Sequence, residues 1–472
     1  MKLIGRQNEI EVLKRAYESN RPELITVYGR RRIGKTFLIR NVFKGKIVFE
    51  ITGINKVTLN KQLLNFYLTL SEKQRNFRKP KNWIEAFDIF KQYLDKLNSK
   101  IKKVIFFDEF PWMDTRKSDF LPAFEHFWNS YANKRNDLLV IICGSSSSYI
   151  VKRIIRSKGG MHNRLTGKIR LLPFNLCEAE KLLKQDRVRL SRVDIIRLYM
   201  ILGGIPYYLE KILPGESLQQ TVDRLCFQKD GFLRTEFRDV FEALFERHDN
   251  HESIIRTLAY VRKGITRDEI IKRTKIGSGG TVSKTLEELE ESGFIEKYMP
   301  YQGRKKALYR LTDEYSMFYL KYIEKSKPSS SGTWNKISGQ QSFKVWLGFS
   351  FETLCIKHIE QIKEGLKISG INSTSGSWLS KGKGEGAQID LLIDRDDNVI
   401  NICEIKFYRT RYSIDKKYSE DILRKIDLFT RETRTRKNIF ITFITSNGLN
   451  QNKYSRQIVQ NELVADHLFI DL

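Results

Sequence analysis

"LITVYGRRRIGKTFLIRNVF", Leu24 to Phe43, joins two apolar stretches through a glycine, three arginines and a Gly-Lys-Thr triplet. The first stretch is rich in β-branched and aromatic residues and reads as a buried strand. The second, "KTFLIRNVF", reads as a helix. Between them Gly29-Arg30-Arg31-Arg32-Ile33-Gly34-Lys35-Thr36 fits the pattern G-x-x-x-x-G-K-[ST]. A strand, a glycine-bounded turn and a helix start bring backbone N–H groups together around an anion. The expected guest is a polyphosphate. Lys35 would reach its β- and γ-phosphates, and the Thr36 hydroxyl would ligate Mg2+. The contacting stretch runs from Gly29 to Phe37. Arg30, Arg31 and Arg32 are not required by the pattern: they hold phosphate, rim the site, or stand in solvent.

A second apolar run, "KVIFFDEF", ends in Asp108 and Glu109. Asp108 would complete the magnesium shell, and Glu109 would orient or deprotonate the attacking water. A carboxylate pair at the carboxyl end of a parallel strand stands where α/β sheets bind ligands. The other strand candidates are "KIVFEITG", "LLVIICGS" and "KIRLLPF". Apolar runs alternating with helical patterns predict a parallel sheet covered on both faces. ATP is therefore the expected cofactor, with Mg2+.

The chain of 472 residues has room for about three domains at roughly 150 residues each. A net charge of +28 favours a polyanionic partner, and DNA is the expected one. Five cysteines without a C-x-x-C pair suggest neither a zinc site nor a disulfide framework. Cys143 and Cys403 lie in apolar runs and are expected to be packed thiols. His248 and His251 read as exposed helix-end side chains rather than ligands. The N-terminal twenty residues are charged, and no apolar run approaches 18 residues, so a cytoplasmic protein without a membrane span is expected.

Beyond the first sheet the pattern turns helical to about residue 250, broken at "LGGIPYYL". "HESIIRTLAYVRKG", "TRDEIIKRT" and "GGTVSKTLEELEESG" then read as three helices. They precede a ribbon, "FIEKYMPY" and "ALYRLTD", with a basic tip "QGRKK". This order predicts a winged helix. Ser278, Thr281, Ser283 and Lys284 open its recognition helix, Lys272, Arg273 and Lys275 precede it, and Arg304, Lys305 and Lys306 mark the wing tip. The acidic "LEELEE" opposes a DNA backbone, so DNA contact and interdomain packing both remain open. "KSKPSSSGT" is the linker candidate. The expected boundaries are 1–175 for the ATPase core, 176–250 for a helical lid, 251–325 for the winged helix, 326–338 for the linker, and 339–472 for a last α/β domain.

The loop, "FFDEFPWM", "ICGSSSSYI", "NRLTGKIRLLPF" and "GGIPYYL" together resemble the predominantly archaeal-type ATPases of the AAA+-like, signal-transducing (STAND) P-loop class. The resemblance covers roughly residues 1–325. It implies that Gly5, Arg6 and Glu9 form a box leading into the nucleotide site. It puts Ser145 at the sensor position, gives Arg164 a role in stabilising phosphate charge, and sets Pro206 in the lid near the adenine.

"AQIDLLIDRDDNVINICEIKF" reads as a hairpin turning near Asp397. That register sets Asp390 opposite Glu404, with Lys406 on the same face. Like charges directly across a ladder are destabilising, and a divalent cation between them would remove the cost. The segment resembles the PD-(D/E)XK nuclease superfamily, and more closely the uncharacterised C-terminal domain often fused to archaeal-type ATPases. Asp390, Glu404 and Lys406 match D…E-x-K, and Glu352 in "WLGFSFETLCIKHI" matches the acidic residue of the core's first helix. Ile389 stands where the name-giving motif has proline. The resemblance implies metal ligation by Glu352, Asp390 and Glu404, with Lys406 positioning the nucleophile.

The expected fold is thus α/β: a P-loop NTPase parallel sheet with a helical lid, a winged-helix domain and a C-terminal restriction-endonuclease-like domain. The expected function is a nucleotide-driven switch coupled to DNA binding and DNA cleavage. The alternative is a regulatory ATPase whose last domain only binds DNA or protein. A protein partner or homo-oligomer is compatible with either.

Overall fold

The structure, a computed structural model, describes residues 2–74, 77–97, 101–156, 159, 161, 163–245, 248–261, 263–277, 279–302, 306–327, 332–380 and 386–472. Two compact units divide it: Met1–Pro173 with Glu291–Gly293, and Phe174–Glu290 with Phe294–Leu472.

In the first unit the five apolar runs form β1 (Glu23–Tyr28), β2 (Ile47–Thr52), β3 (Lys103–Asp108), β4 (Leu138–Gly144) and β5 (Gly167–Arg170). They pair in parallel in the order β2–β3–β4–β1–β5. Every residue of β3 and β4 is buried, which is why these two segments read as unbroken apolar runs. Helices Leu59–Lys73, Trp83–Asp95 and Phe120–Ser130 supply the aromatic core. Phe49 lies 4.5 Å from Phe90, and Phe87 stacks on Phe127 at 5.1 Å between ring centres.

The second unit opens with helices Leu176–Gln185 and Arg192–Leu202. Asn175 and Glu178 cap the first reciprocally, satisfying N–H groups that a helix start leaves open. A small antiparallel sheet, β6 (Ile265–Thr266), β7 (Ile295–Tyr298) and β8 (Leu308–Leu311), accompanies helices Asp249–Leu258, Arg267–Thr274 and Gly280–Glu291. The ribbon therefore gains a third short strand, β6, which pairs with β8. Arg304 and Lys305 of the expected wing tip, and Ser278, lie outside the described residues.

The last sheet runs β9 (Ser373–Leu379), β10 (Gln388–Arg395), β11 (Val399–Lys406), β12 (Asn438–Thr445) and β13 (Asn461–Val464), in the order β13–β12–β11–β10–β9. β9, β10 and β11 are antiparallel, whereas β12 and β13 continue parallel to β11. The β10–β11 turn closes through Asn398 at φ 64, a left-handed conformation that Asn tolerates. Helix Gln341–Lys357 packs against β11.

Two expectations change. The linker expected over 326–338 ends in a helix, Thr333–Ser338, whose Trp334 is fully buried and stacks on Phe227 at 5.8 Å. The Asp223 carboxylate accepts from Gly332 N and Trp334 N, each at 2.9 Å. A polar composition marked the segment as a linker, but one anchored aromatic overrides it. His251 is buried rather than exposed: it stacks on Phe245 at 3.7 Å and bonds Glu288 at 2.9 Å.

Candidate functional site

The loop after β1 turns through Gly29 at φ 147. A Cβ at Gly29 would stand 2.3 Å from Leu171 O, so only glycine fits there. Arg6, implied as part of the leading box, donates to the neighbouring carbonyl, Leu172 O, at 2.5 Å and lies 3.8 Å from Glu9. The N-terminal box and the loop thus share one support, the segment after β5. Arg32 and Gly34 are left-handed, and helix Lys35–Val42 starts directly after them.

The three arginines differ. Arg30 is buried, Arg31 and Arg32 are half-buried, and none is a freely solvated loop side chain. Ile33 is buried and anchors the turn, while Phe37 is exposed on the helix. The buried Lys35 ammonium donates to Gly29 O at 3.0 Å and Arg30 O at 2.9 Å. It lies inside the curve of the loop, where phosphate oxygens would meet it.

Thr36 and Asp108 meet as the sequence predicts: Thr36 Oγ1 donates to Asp108 Oδ2 at 2.9 Å. Asp108 Oδ1 accepts from Glu109 N at 3.0 Å. A hydroxyl and a carboxylate side by side suit Mg2+, a hard cation that takes few protein oxygens and keeps waters and phosphate oxygens as its other ligands. These two residues fit the metal.

Glu109 is left-handed, at φ 45 and ψ 46, directly after β3. For a residue with a Cβ this conformation costs energy and persists only where neighbours enforce it. Here Ser145, at the end of β4, holds the carboxylate: Ser145 N and Ser145 Oγ both reach Glu109 Oε2, at 3.1 and 2.8 Å. β4 lies between β1 and β3, so Ser145 stands between the phosphate loop and the acid pair. Its recorded partner is Glu109, a contact the sequence reading did not anticipate.

Arg164, given a phosphate role by the resemblance, lies elsewhere in the first unit. Arg164 is exposed in the turn before β5. Thr166 beside it pairs with Leu24, at the start of β1, so Arg164 belongs to the edge where strands begin, opposite the loop. It does not join the phosphate site of its own unit. Pro206 is buried and opens the short helix Pro206–Leu209 in the second unit.

In the last sheet the register runs from Asp394–Ile400 to Leu391–Cys403. One step further sets Asp390 beside Glu404. Burial and then the Glu404 charge push the Asp390 carboxyl above its ordinary range, while Lys425, Gln388 and Lys406 oppose the shift. The negative charge is met from within the protein. Lys425 Nζ lies 2.9 Å from Glu404 Oε1, Tyr418 OH donates to Glu404 Oε2, and Lys406 Nζ stands 3.8 Å from Glu404 Oε2. Gln388 donates to Asp390 Oδ1. Burial and Glu404 push the Tyr418 hydroxyl far above the ordinary phenol range, so it stays a donor. Among the described residues no three carboxylates, imidazoles or thiols gather as a metal site, so Glu352, Asp390 and Glu404 do not form the expected set. Lys425 stands where the sequence argument placed a cation.

Sequence reasoning missed Tyr418 and Lys425. Both lie on helix Lys416–Thr433, where Tyr418, Ile422, Lys425 and Phe429 recur at helical spacing. Ile422 and Phe429 are buried, so that stripe is the inner face, and a lysine and a tyrosine on it were the available signal.

Residues 3–212 match the family described as the ATPase domain predominantly from Archaea. With the loop, the acid pair and the strand order, this defines a P-loop ATPase domain at the head of the chain. An uncharacterised protein of Methanocaldococcus jannaschii is 25% identical over 437 residues, covering 90% of this chain and 92% of that one. An uncharacterised ATP-binding protein of the same organism is 44% identical over 43 residues, 9% of this chain and 73% of its own. Among solved structures, the Walker-type ATPase of Pyrococcus abyssi covers 68% of this chain and 96% of its own, at 18% identity and a TM-score of 0.49. Among the described residues no helix is long and apolar enough to cross a membrane. All five cysteines are free and buried.

Proposed function

We propose that the protein is a magnesium-dependent ATPase that works as a nucleotide-driven switch on DNA. The observation that carries this reading is the joined set Lys35, Thr36 and Asp108: an ammonium inside the loop and a hydroxyl–carboxylate pair at its rim. Bound Mg2+ would neutralise phosphate charge as the terminal phosphoryl group leaves. Lys35 exchanges its two carbonyl bonds for phosphate oxygens. Glu109 accepts the proton of the attacking water once its carboxylate turns from Ser145. The test is ATP turnover by the intact protein and by Lys35→Ala, with and without DNA. Full turnover by Lys35→Ala would overturn the assignment.

The three helices and β6–β8–β7 sheet support a winged helix. Thr281, Ser283, Lys284, Lys272, Arg273 and Lys275 are all exposed on it, as a DNA-facing surface requires. The last domain, by its mixed sheet and its Asp390–Glu404 register, is read as a PD-(D/E)XK nuclease-like fold. A pair of carboxylates suits one Mg2+ ion. A second reading, a domain that binds without cutting, is favoured by one observation: Lys425 already neutralises Glu404. Magnesium- or manganese-dependent cleavage of DNA, abolished by Asp390→Asn, separates the two. The free thiols suit a reducing cytoplasm.

A further inference from the structure

Within the second unit, Asp390 and Glu352 line a cavity of ≈ 700 Å³. The opposite wall is not part of the last sheet. It comes from Tyr260 and Lys263 after helix Asp249–Leu258, from Tyr298 on β7, from Arg310 on β8, and from Lys321. Lys263, Tyr298 and Arg310 hold one another. Tyr298 OH donates to Lys263 O at 2.5 Å, and the Arg310 guanidinium lies 4.6 Å over the Tyr298 ring while bonding Glu296 at 2.6 Å. Tyr260 remains 59% exposed, although its hydroxyl donates to Leu320 O at 3.2 Å.

The lining sets the carboxylates Glu352, Asp390 and Asp421, interspersed with Arg424 and Lys425, beside a wall of cations and tyrosine rings. A guest that suits it carries an anionic group and a flat aromatic face, which is the chemistry of a nucleotide. The volume is that of a small-molecule pocket, roughly 300–1,000 Å³. A space of that size takes a guest of drug-like size, about one unpaired nucleotide, rather than a base-paired duplex. We infer that this cavity takes a single-stranded nucleic-acid end, with a base against the Tyr260–Tyr298 side and the phosphodiester between the cations and Asp390. The inference rests on reading the last sheet as nuclease-like, and it gives that site a substrate class.

The test uses the full chain in EDTA and a fluorescent single-stranded oligonucleotide, its blunt duplex, and a free deoxynucleoside monophosphate as competitor. The single strand is expected to bind at least ~10-fold tighter than the blunt duplex. Tyr260→Ala and Lys321→Glu are expected to weaken strand binding roughly 5-fold or more, the scale of one lost base stack, with unchanged hydrogen exchange across the second unit as the check on folding. Equal affinity for the duplex, or unchanged strand binding in both variants, would overturn the inference. So would a free mononucleotide that competes as well, per molecule, as the oligonucleotide, since the site would then serve small nucleotides. Adding magnesium or manganese separates the two levels. Strand binding without cleavage removes the nuclease reading and keeps the cavity assignment. Cleavage of duplex and strand alike, unaffected by Tyr260→Ala, does the reverse.

Discussion

His358 joins the helical start of the second unit to the end of helix Gln341–Lys357, and the geometry fixes what acid should do to it. Its ring is buried, with Nδ1 at 2.9 Å from Leu354 O and Nε2 at 3.0 Å from Leu176 N. Leu176 N–H can only donate, so Nε2 must accept and the proton must sit on Nδ1. A second proton would have to enter at Nε2 and break the Leu176 bond. Burial is the main cause that lowers the pKa from 6.5 to about 4, and the Lys357 charge adds to it. The bond to Leu354 O works the other way, but less strongly. The unfolded chain therefore binds a proton below about pH 6.5, whereas the folded chain resists until about pH 4. Stability from this group is fully present above pH 6.5 and is lost as pH falls through that window. At about 1.36 kcal/mol per unit, the loss is about 2 kcal/mol by pH 5 and about 3 kcal/mol by pH 4.

Hydrogen exchange on peptides covering Leu176 reads opening of this region without requiring the whole chain to unfold together. Protection there should fall between pH 6.5 and 5 by about 2 kcal/mol more in the wild type than in His358→Leu, after correction for intrinsic exchange. The variant itself should be less stable at pH 7 by about 1–3 kcal/mol, because Leu176 N–H loses its partner. Parallel pH dependences in the two proteins would refute the argument. So would a directly titrated His358 pKa near 6.5.

Glu109→Gln should retain ATP affinity within about threefold while turnover falls at least ~100-fold, the usual scale for removing a general base. Equal losses in affinity and turnover would assign Glu109 a binding role instead. Asp390 has a raised pKa in the metal-free protein, so divalent-ion binding at the Asp390–Glu404 pair should have an acid limit above the ordinary carboxylate range. Lys425→Met should push that limit higher still, because Lys425 opposes the shift. A limit that stays put would disconnect the two residues. Trp334→Ala should cost about 3–5 kcal/mol in urea unfolding of the second unit, and a negligible change would mean that Thr333–Ser338 is a linker after all.

The first unit was legible because its signals are local. Each buried strand is a contiguous apolar run, and the loop is a contiguous octapeptide whose glycine and lysine spacing encodes its own geometry. The hairpin register was legible for the same reason, since one turn residue fixes every pair along the ladder. What escaped was settled by contacts between distant segments. Trp334 became structural through Phe227 and Asp223, more than a hundred residues earlier. His251 was buried by Phe245 and Glu288. Arg164 was assigned by resemblance, and only the strand pairing of Thr166 with Leu24 reveals which edge it occupies.

The two acidic sites solve the same electrostatic problem differently, and this bears on how each would take a metal. At the end of β3, Asp108 faces a neutral hydroxyl, so a cation entering between them displaces no charged partner. At β11, Glu404 already carries an ammonium at 2.9 Å. A metal there must displace Lys425 or share Glu404 with it, and two cations on one carboxylate repel. Lys425→Met should therefore tighten divalent-ion binding at the Asp390–Glu404 pair while leaving nucleotide-dependent magnesium binding unchanged. Manganese titration followed by electron paramagnetic resonance, with and without ATP, measures both sites in one protein. Weaker metal binding in Lys425→Met would mean that the lysine orders the carboxylates for the ion rather than competing with it.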